Sequence, residues 1–401
     1  MTTTTPEMIT LRPHQQRGLD ALESNDRGQV IVPTGGGKTL IAIMDAKRQI
    51  ETQPSTIVVV CPRILLSEQL CSEFLEVIDT KNVHVLHCHS GETTHFSSTR
   101  PKDIHLFTNV ARSEGESVLI FTTYHSLHRV QEADIEVNTI YFDEAHNSVQ
   151  RHFFPPTEFF SNEADRSYFF TATRKTSVTI NKPGMNDREV YGDIICRVSA
   201  PELVQGGYIA PPKIHVKEFD IHNNTKLITC DTDCEHLIST VDEVQMKKLL
   251  VCVKTSKQLV NVITHTDFTT QLSDRGYSYL YITAKTGAVV DGKKVNREEF
   301  FNVLNAWGKD PDKKFVVLHR SILSEGISVN RLDCVIFLRN MDTIELTQSI
   351  GRVLRTCPDK SFGLCVVPIY SKVGISTQRA LQNVVDTVFE RGELLDSVVR
   401  K

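Results

Sequence analysis

The sequence predicts an α/β protein built as two similar domains in tandem, each a mostly parallel sheet flanked by helices. Three observations lead there. Short apolar runs alternate with segments of helical period; the runs are continuous, as strands covered on both faces require; and the series starts again after Ala210-Pro211-Pro212. In the first half the expected strands are Gln29–Val32, Thr56–Cys61, Val83–Leu86, Ser117–Phe121, Thr139–Phe142 and Tyr168–Phe170, with helices over Lys38–Ile50 and Ile64–Ile78. Residues 90–115, rich in Ser, Thr and charge, and Asn181–Arg188 read as surface loops. Two successive prolines cannot continue a helix or a central strand, so Pro211-Pro212 reads as a linker between domains 1–210 and 211–401. The second half gives strands at Leu249–Val253, Ser278–Ile282, Lys314–Leu318, Asp333–Leu338 and Gly363–Pro368. Its helices are expected over Lys257–Leu272, Asn296–Asn305, Thr343–Val353 and Ser376–Val399.

Length and composition bound the function. A chain of 401 residues suits two or three domains, and 45 basic against 49 acidic side chains, net charge -4, produce no global positive field. A local basic groove stays open. Ten cysteines without paired spacing and the lack of a charged, then apolar, N-terminal leader predict a soluble protein of a reduced intracellular compartment, cytoplasm or nucleus undecided. Apolar runs such as Thr56–Val60 fall far short of the roughly 20 residues that cross a bilayer, so no membrane partner is expected. His84, His87, Cys88 and His89, and separately Cys230, Cys234 and His236, lack zinc-finger pairing; core or surface roles are expected for them.

The chemistry begins at Val32-Pro33-Thr34-Gly35-Gly36-Gly37-Lys38-Thr39, between an apolar run and a helical pattern. It reads as a phosphate-binding loop. Glycines let backbone N–H groups turn toward phosphate oxygens, Lys38 neutralises β/γ charge, and the Thr39 hydroxyl suits Mg²⁺. Val32 replaces the first glycine of the usual pattern. Asp143 and Glu144 follow the apolar run Thr139–Phe142, at the strand end where ligands of open α/β sheets gather. Asp143 is expected to hold Mg²⁺ and Glu144 to polarise the attacking water as general base.

With both motifs in place the chain resembles a superfamily 2 helicase or translocase with a DEAH motif, Asp143-Glu144-Ala145-His146, and the resemblance runs through both halves. Leu11-Arg12-Pro13-His14-Gln15 resembles the adenine-reading motif, Val59 to Arg63 motif Ia, Phe121 to Tyr124 the next strand-end motif, and Thr171-Ala172-Thr173 motif III. Ser324-Glu325-Gly326-Ile327 resembles motif V, and Gln348-Ser349-Ile350-Gly351-Arg352-Val353-Leu354-Arg355 fits Q-x-x-G-R-x-x-R. Val32 in the loop is ordinary for this superfamily. Residues 189–212 further resemble members near type III restriction subunits and DNA-repair translocases.

The resemblance implies two RecA-like domains, the first binding ATP, the second completing its site. Pro33, Thr34, Gly35, Gly36, Gly37, Lys38, Thr39 and Gly326 are then expected to bind nucleotide, with Gln15 reading the adenine edge and Arg12 assisting. Gln348, Arg352 and Arg355 join Lys38, Asp143 and Glu144 as catalytic residues, Arg355 being the firmer arginine finger. His146, Thr171 and Thr173 are expected to couple nucleotide state to domain movement. Arg63, Thr122, Thr123, Thr255 and Ser321 are expected to touch a nucleic-acid backbone without reading bases. DNA is favoured over RNA. Little sequence follows the second domain, so a partner protein is expected to supply any strand-separating or targeting element. An RNA helicase, or an ATP-gated nucleic-acid clamp or recruitment factor, are the alternatives.

Overall fold

Strands that are apolar along their whole length can be stable only when both faces are covered, and this is how the runs settle. A computed structural model describes residues 9–399 apart from 92, 180, 221–228, 284–285, 321–330, 340 and 358–359. The chain divides into two compact units, one comprising Met1–Val32, Gly37–Val198 and Val398–Lys401, the other Pro33–Gly36 and Ser199–Ser397. The main change of unit thus falls at Val198–Ser199, ahead of the Pro211-Pro212 pair.

In the first unit the strands are β1 (Arg27–Ile31), β2 (Thr56–Cys61), β3 (Val83–Cys88), β4 (Phe96–Ser97), β5 (Ser117–Thr123), β6 (Thr139–Phe142), β7 (Arg166–Thr171), β8 (Lys175–Thr176) and β9 (Ile194–Arg197). All but β8 join one sheet of order β4-β3-β5-β2-β6-β7-β1-β9. Every pairing in it is parallel. The helices include α1 (Pro13–Glu23), α2 (Lys38–Thr52), α3 (Ile64–Leu75), α4 (Pro101–Ser113), α5 (Leu127–Glu132), α6 (Phe154–Glu163) and α7 (Arg188–Tyr191). Val58, Val60, Ile120, Ile140, Phe142 and Phe169 lie at the centre of the core. Phe142 and Phe169 stack with ring centroids 4.7 Å apart.

The second unit opens with α8 (Ala200–Gln205) and β10 (Pro212–Glu218), followed by α9 (Cys230–Val244), β11 (Lys248–Cys252), α10 (Ser256–His265), α11 (Phe268–Asp274), β12 (Ser278–Thr283), β13 (Gly287–Val290) and β14 (Lys293–Val295). Then come α12 (Arg297–Lys309), β15 (Phe315–His319), β16 (Cys334–Phe337), α13 (Thr343–Val353), β17 (Gly363–Ile369) and α14 (Lys372–Val384). Its sheet has the order β10-β17-β16-β11-β15-β12-β13-β14. Only the β12–β13 and β13–β14 pairings are antiparallel. Its core gathers around Leu249, Val251, Val316, Leu318, Ile336 and Val366.

Four expectations need correction. Residues 90–115 are not all loop: α4 runs through them, starting at Pro101 and burying Ile104, Thr108 and Ala111. That helical spacing was masked by the polar composition around it, and Gly115, at φ 79°, lies just beyond the helix. Pro212 begins a strand instead of a linker. As the first residue of edge strand β10 it has no partner to disappoint, because the missing N–H costs no ladder bond there. The helix expected over Lys257–Leu272 is two helices, broken where Thr266 turns extended and its hydroxyl accepts from the Phe268 N–H at 3.2 Å. The C-terminal helix also stops early. It ends at Val384, passes into a π-helical turn over Val385–Glu390, and the chain finishes with the Val399 N–H donating to the Thr176 carbonyl at 2.8 Å.

Candidate nucleotide site

The loop after β1 is shaped by glycine. Gly35 and Gly37 have φ values of 89° and 77°, a region in which a side chain strains the backbone. The Gly36 N–H donates to the Pro33 carbonyl at 2.9 Å, closing a tight turn. Gly37 is the residue before α2, so Lys38 and Thr39 form the first turn of a helix whose orphan N–H groups and positive dipole end face the loop. A Cβ at Gly37 would lie 2.4 Å from Gln15 Nε2. The same amide donates to the Gly37 carbonyl at 3.1 Å, while Gln15 Oε1 accepts from the Arg12 N–H at 2.9 Å. Gln15 therefore braces the loop and caps α1, and Arg12 is its partner through backbone. The geometry leaves Gln15 with unused hydrogen-bonding capacity, since each amide atom can serve a second partner.

Three charges meet beyond the loop. Lys38 Nζ lies 2.7 Å from Glu144 Oε1 and 3.8 Å from Asp143 Oδ1. Strand β6 delivers the two carboxylates: its ladder continues with the Asp143 N–H on the Val60 carbonyl at 2.8 Å, and Glu144 then turns to φ 46°. A left-handed non-glycine residue is costly, so its persistence here marks a backbone held by its surroundings. Tyr124 supplies part of that hold by donating to the Asp143 carbonyl at 2.9 Å. Burial pushes the Asp143 carboxyl up to about 6, with Lys38 opposing the shift and Glu144 adding to it. Two crowded, desolvated carboxylates and one ammonium favour a further cation, and this donor set suits a magnesium nucleotide: Asp143 and Thr39 for the metal, the loop N–H groups and Lys38 for phosphates.

The turn is tied to β7. His146 Nδ1 lies 3.0 Å from Thr171 Oγ1, whose own hydrogen is directed to the Thr173 carbonyl at 2.9 Å. That assigns the His146 proton to Nδ1, donating to Thr171. His146 Nδ1 is also 3.5 Å from Glu144 Oε2. Glu144 is therefore within 3.5 Å of the side chain that donates to the end of the neighbouring strand.

A second network was missed in the sequence. Asp45, fully buried on α2, accepts from Tyr141 Oη at 2.6 Å, Gln49 Nε2 at 2.8 Å, Arg48 at 2.8 Å and Arg166 at 3.1 Å. It joins the helix that begins at Lys38 to β6, which carries the carboxylates, and to β7. The available signal was a charge at Asp45 within the apolar stripe Ile41, Ala42, Ala46 of α2.

Of the residues expected to meet nucleic acid, Thr122 and Thr123 end β5 beside Val60 and Cys61 of β2, and Arg63 is the residue before α3. These three share one sheet end. Thr122 is buried with its hydroxyl on the Cys88 carbonyl at 2.9 Å, and Thr123 directs its own to Ser126 at 3.5 Å; Arg63 is the charged member of the three. Thr255, in the second unit, caps α10 by accepting from the Gln258 N–H at 3.0 Å. Ser321 and Gly326 lie outside the described residues.

Gln348 and Arg352 sit one turn apart on α13 and both are buried. Asp342 starts this helix by accepting from the Glu345 N–H at 2.8 Å, and Arg339 pairs with Glu345 at 2.9 Å. Arg355 follows the helix in an isolated antiparallel bridge with Ile209. Burial, and then the cations Arg339 and Arg352, push the His319 imidazole down to about 3, so it stays neutral beside them.

Two α/β units with mostly parallel sheets, a glycine-shaped loop opening a helix, and a carboxylate pair at a strand end define the class of superfamily 2 helicases with RecA-like domains. Within it, residues 8–175 match the family described as type III restriction enzyme, res subunit. No curated protein matches the sequence. Among solved structures the chain is similar to the ATP-dependent Type ISP restriction-modification enzyme LlaBIII bound to DNA, at TM-score 0.74 and 18% identity, covering 98% of this chain and 31% of that one. It is also similar to a nuclease-deletion mutant of the Type ISP enzyme LlaGI in complex with a DNA substrate mimic, at 0.68 and 20%, covering 95% and 29%. Mss116p bound to ssRNA and AMP-PNP is similar at 0.61 and 14%, covering 97% and 74%. The chain thus spans about a third of the restriction enzymes it resembles. Among the described residues no helix is long and apolar enough to cross a membrane.

Proposed function

We propose that this chain is an ATP-dependent nucleic-acid helicase or translocase, acting on DNA, with residues 1–210 as ATP-binding domain and 211–401 as its partner domain. The observation that carries the reading is Lys38 Nζ at 2.7 Å from Glu144 and 3.8 Å from Asp143, at the mouth of a loop built for phosphates. When bound, Mg²⁺ supplies charge neutralisation to the β- and γ-phosphates. The loop from Pro33 to Gly37 wraps the phosphate chain, Pro33 by shaping the turn and the residues after it by offering backbone N–H groups, and Lys38 leaves the carboxylates to pair with it. Thr39 and Asp143 hold the metal. Glu144 takes a proton from the attacking water, and its held backbone turn keeps that carboxylate at the strand end. Gln15 orients the adenine edge with Arg12 beside it. Gln348, Arg352 and Arg355, with Gly326, complete the site when ATP draws the second unit in, the two guanidinium groups meeting charge on the departing phosphoryl.

His146, Thr171 and Thr173 pass the nucleotide state from the carboxylates to the end of β7. Arg63, Thr123, Thr255 and Ser321 form the track for a sugar–phosphate backbone, with buried Thr122 holding the strand end beneath it. DNA is favoured because the res-subunit match and the two Type ISP likenesses concern restriction enzymes, two of them solved with DNA or its mimic. The likeness to Mss116p with ssRNA keeps an RNA motor as the second reading. Steady-state ATP hydrolysis by the purified chain, alone and with single-stranded, duplex or branched DNA or with RNA, tests the proposal against a Lys38→Ala control. Stimulation by DNA supports it, stimulation by RNA alone replaces the track, and hydrolysis unaffected by Lys38→Ala removes the site.

A further inference from the structure

The histidine-rich strand that the linear spacing left without a role acquires a third ligand in the folded chain. His87 and His89 alternate along β3 and its continuation, and both are buried, at 0% and 2% exposure. Glu68 approaches them from α3. His87 Nδ1 is 3.0 Å from His89 Nε2 and 3.5 Å from Glu68 Oε1, and His89 Nε2 is 3.2 Å from the same oxygen. Three donor atoms thus form a nearly equilateral triangle. Nitrogen and oxygen donors about 2.1 Å from a tetrahedral zinc ion lie about 3.4 Å from one another, so the triangle has the edge length of such a face.

Hydrogen bonding alone leaves this cluster incomplete. One imidazole N–H can serve the His87–His89 contact, yet Glu68 Oε1 is buried with no hydrogen-bond partner, and so is His87 Nε2 on the far side of the ring. An unsatisfied buried carboxylate oxygen converging on two imidazole nitrogens is the pattern a cation resolves. Imidazole donors with a single carboxylate select a borderline transition ion over magnesium or calcium, which take oxygen shells. The Gly91 N–H lies 3.1 Å from His89 Nδ1. That contact places the imidazole proton on Nε2 in the metal-free protein, so loading shifts it to Nδ1 and displaces the Gly91 contact.

We propose that Glu68, His87 and His89 bind a zinc ion, with the fourth position open to water. Glu68 is one turn into the helix that follows Arg63, and His87 pairs in register with Phe121, next to Thr122 and Thr123. The ion would pin α3 to β3 beneath the end of the sheet that carries these residues. The proposal does not depend on the ATPase reading, because none of the three ligands belongs to the nucleotide site.

The test uses the whole chain without a polyhistidine tag, stripped with chelator and equilibrated with zinc or cobalt(II). One zinc per chain by elemental analysis and a rise in unfolding temperature are expected. Cobalt should give the intense visible bands of a tetrahedral ion without thiolate charge transfer, which excludes the ten cysteines as ligands. Glu68→Gln should weaken zinc binding by about tenfold or more, and His89→Gln should abolish it. Stoichiometric zinc retained by both variants, a thiolate-type cobalt spectrum, or no binding by the unaltered chain would overturn the assignment and leave a hydrogen-bonded histidine pair. The cobalt spectrum is read on the unaltered protein, so it decides the question even if a buried-histidine variant fails to fold.

Discussion

Removing the Lys38 ammonium should make the stability of this protein more sharply pH-dependent, because Asp143 is a carboxyl whose charge is tolerated only next to that cation. Its folded-state value is pushed to about 6 from an ordinary 3.8, by burial first. A carboxyl raised on folding binds more protons in the folded than the unfolded chain, so it lowers stability as pH climbs from the ordinary value through the folded one. Lys38 Nζ stands 3.8 Å from Asp143 Oδ1. At an effective dielectric of about 20 that separation corresponds to roughly 4 kcal/mol, an upper value, since both side chains keep some exposure. Losing even half of it raises the Asp143 carboxyl further, at about 1.4 kcal/mol per pH unit.

Lys38→Ala should therefore cost about 2 kcal/mol more at about pH 8 than at about pH 5, where Asp143 is largely protonated in both proteins. The 2.7 Å contact with Glu144 adds a loss at both pH values. Urea unfolding followed by fluorescence and circular dichroism at the two pH values, on variant and parent, measures the difference. The first unfolding midpoint is the quantity to compare, because two units need not unfold together. An equal loss at both pH values, or a larger one at low pH, would refute the reasoning about Asp143.

Glu144→Gln should bind and retain ATP while hydrolysis falls by about 10²-fold or more, read by nucleotide trapping against single-turnover kinetics; an unchanged chemical step would remove the base. Arg355→Ala should lower kcat more than it raises KM, and the reverse pattern in steady-state kinetics would make it a ground-state contact. Asp45→Ala leaves Arg166 and Tyr141 without their buried acceptor and should cost about 3 kcal/mol in urea unfolding; a loss below about 1 would show that the network is not a brace.

How far the sequence reached depends on how local each signal is. The first-unit strands, the loop around Gly35 to Lys38 and the carboxylates after Phe142 were legible because each rests on adjacent residues: a continuous apolar run, glycines at fixed offsets, a motif at a strand end. The helix at Pro101–Ser113 was not, since its buried positions are few among polar ones, and composition spoke louder than period. Pro212 was read correctly as unfit for a central strand. That it could start an edge strand depended on which strand became the edge, which is a property of the whole sheet.

The sequence by itself determined that this is a two-unit α/β protein of the helicase class, and it singled out the loop and the carboxylate pair proposed here to carry phosphate chemistry. Only the tertiary structure decided that Gln15 braces Gly37, that His146 Nδ1 donates to Thr171, that Asp45 binds α2 to two strands, and that Glu68 joins His87 and His89. The reason is geometric. Each of those contacts brings together side chains from different elements of the fold, and their meeting is set by the order of strands and the placement of helices. A linear spacing cannot encode it.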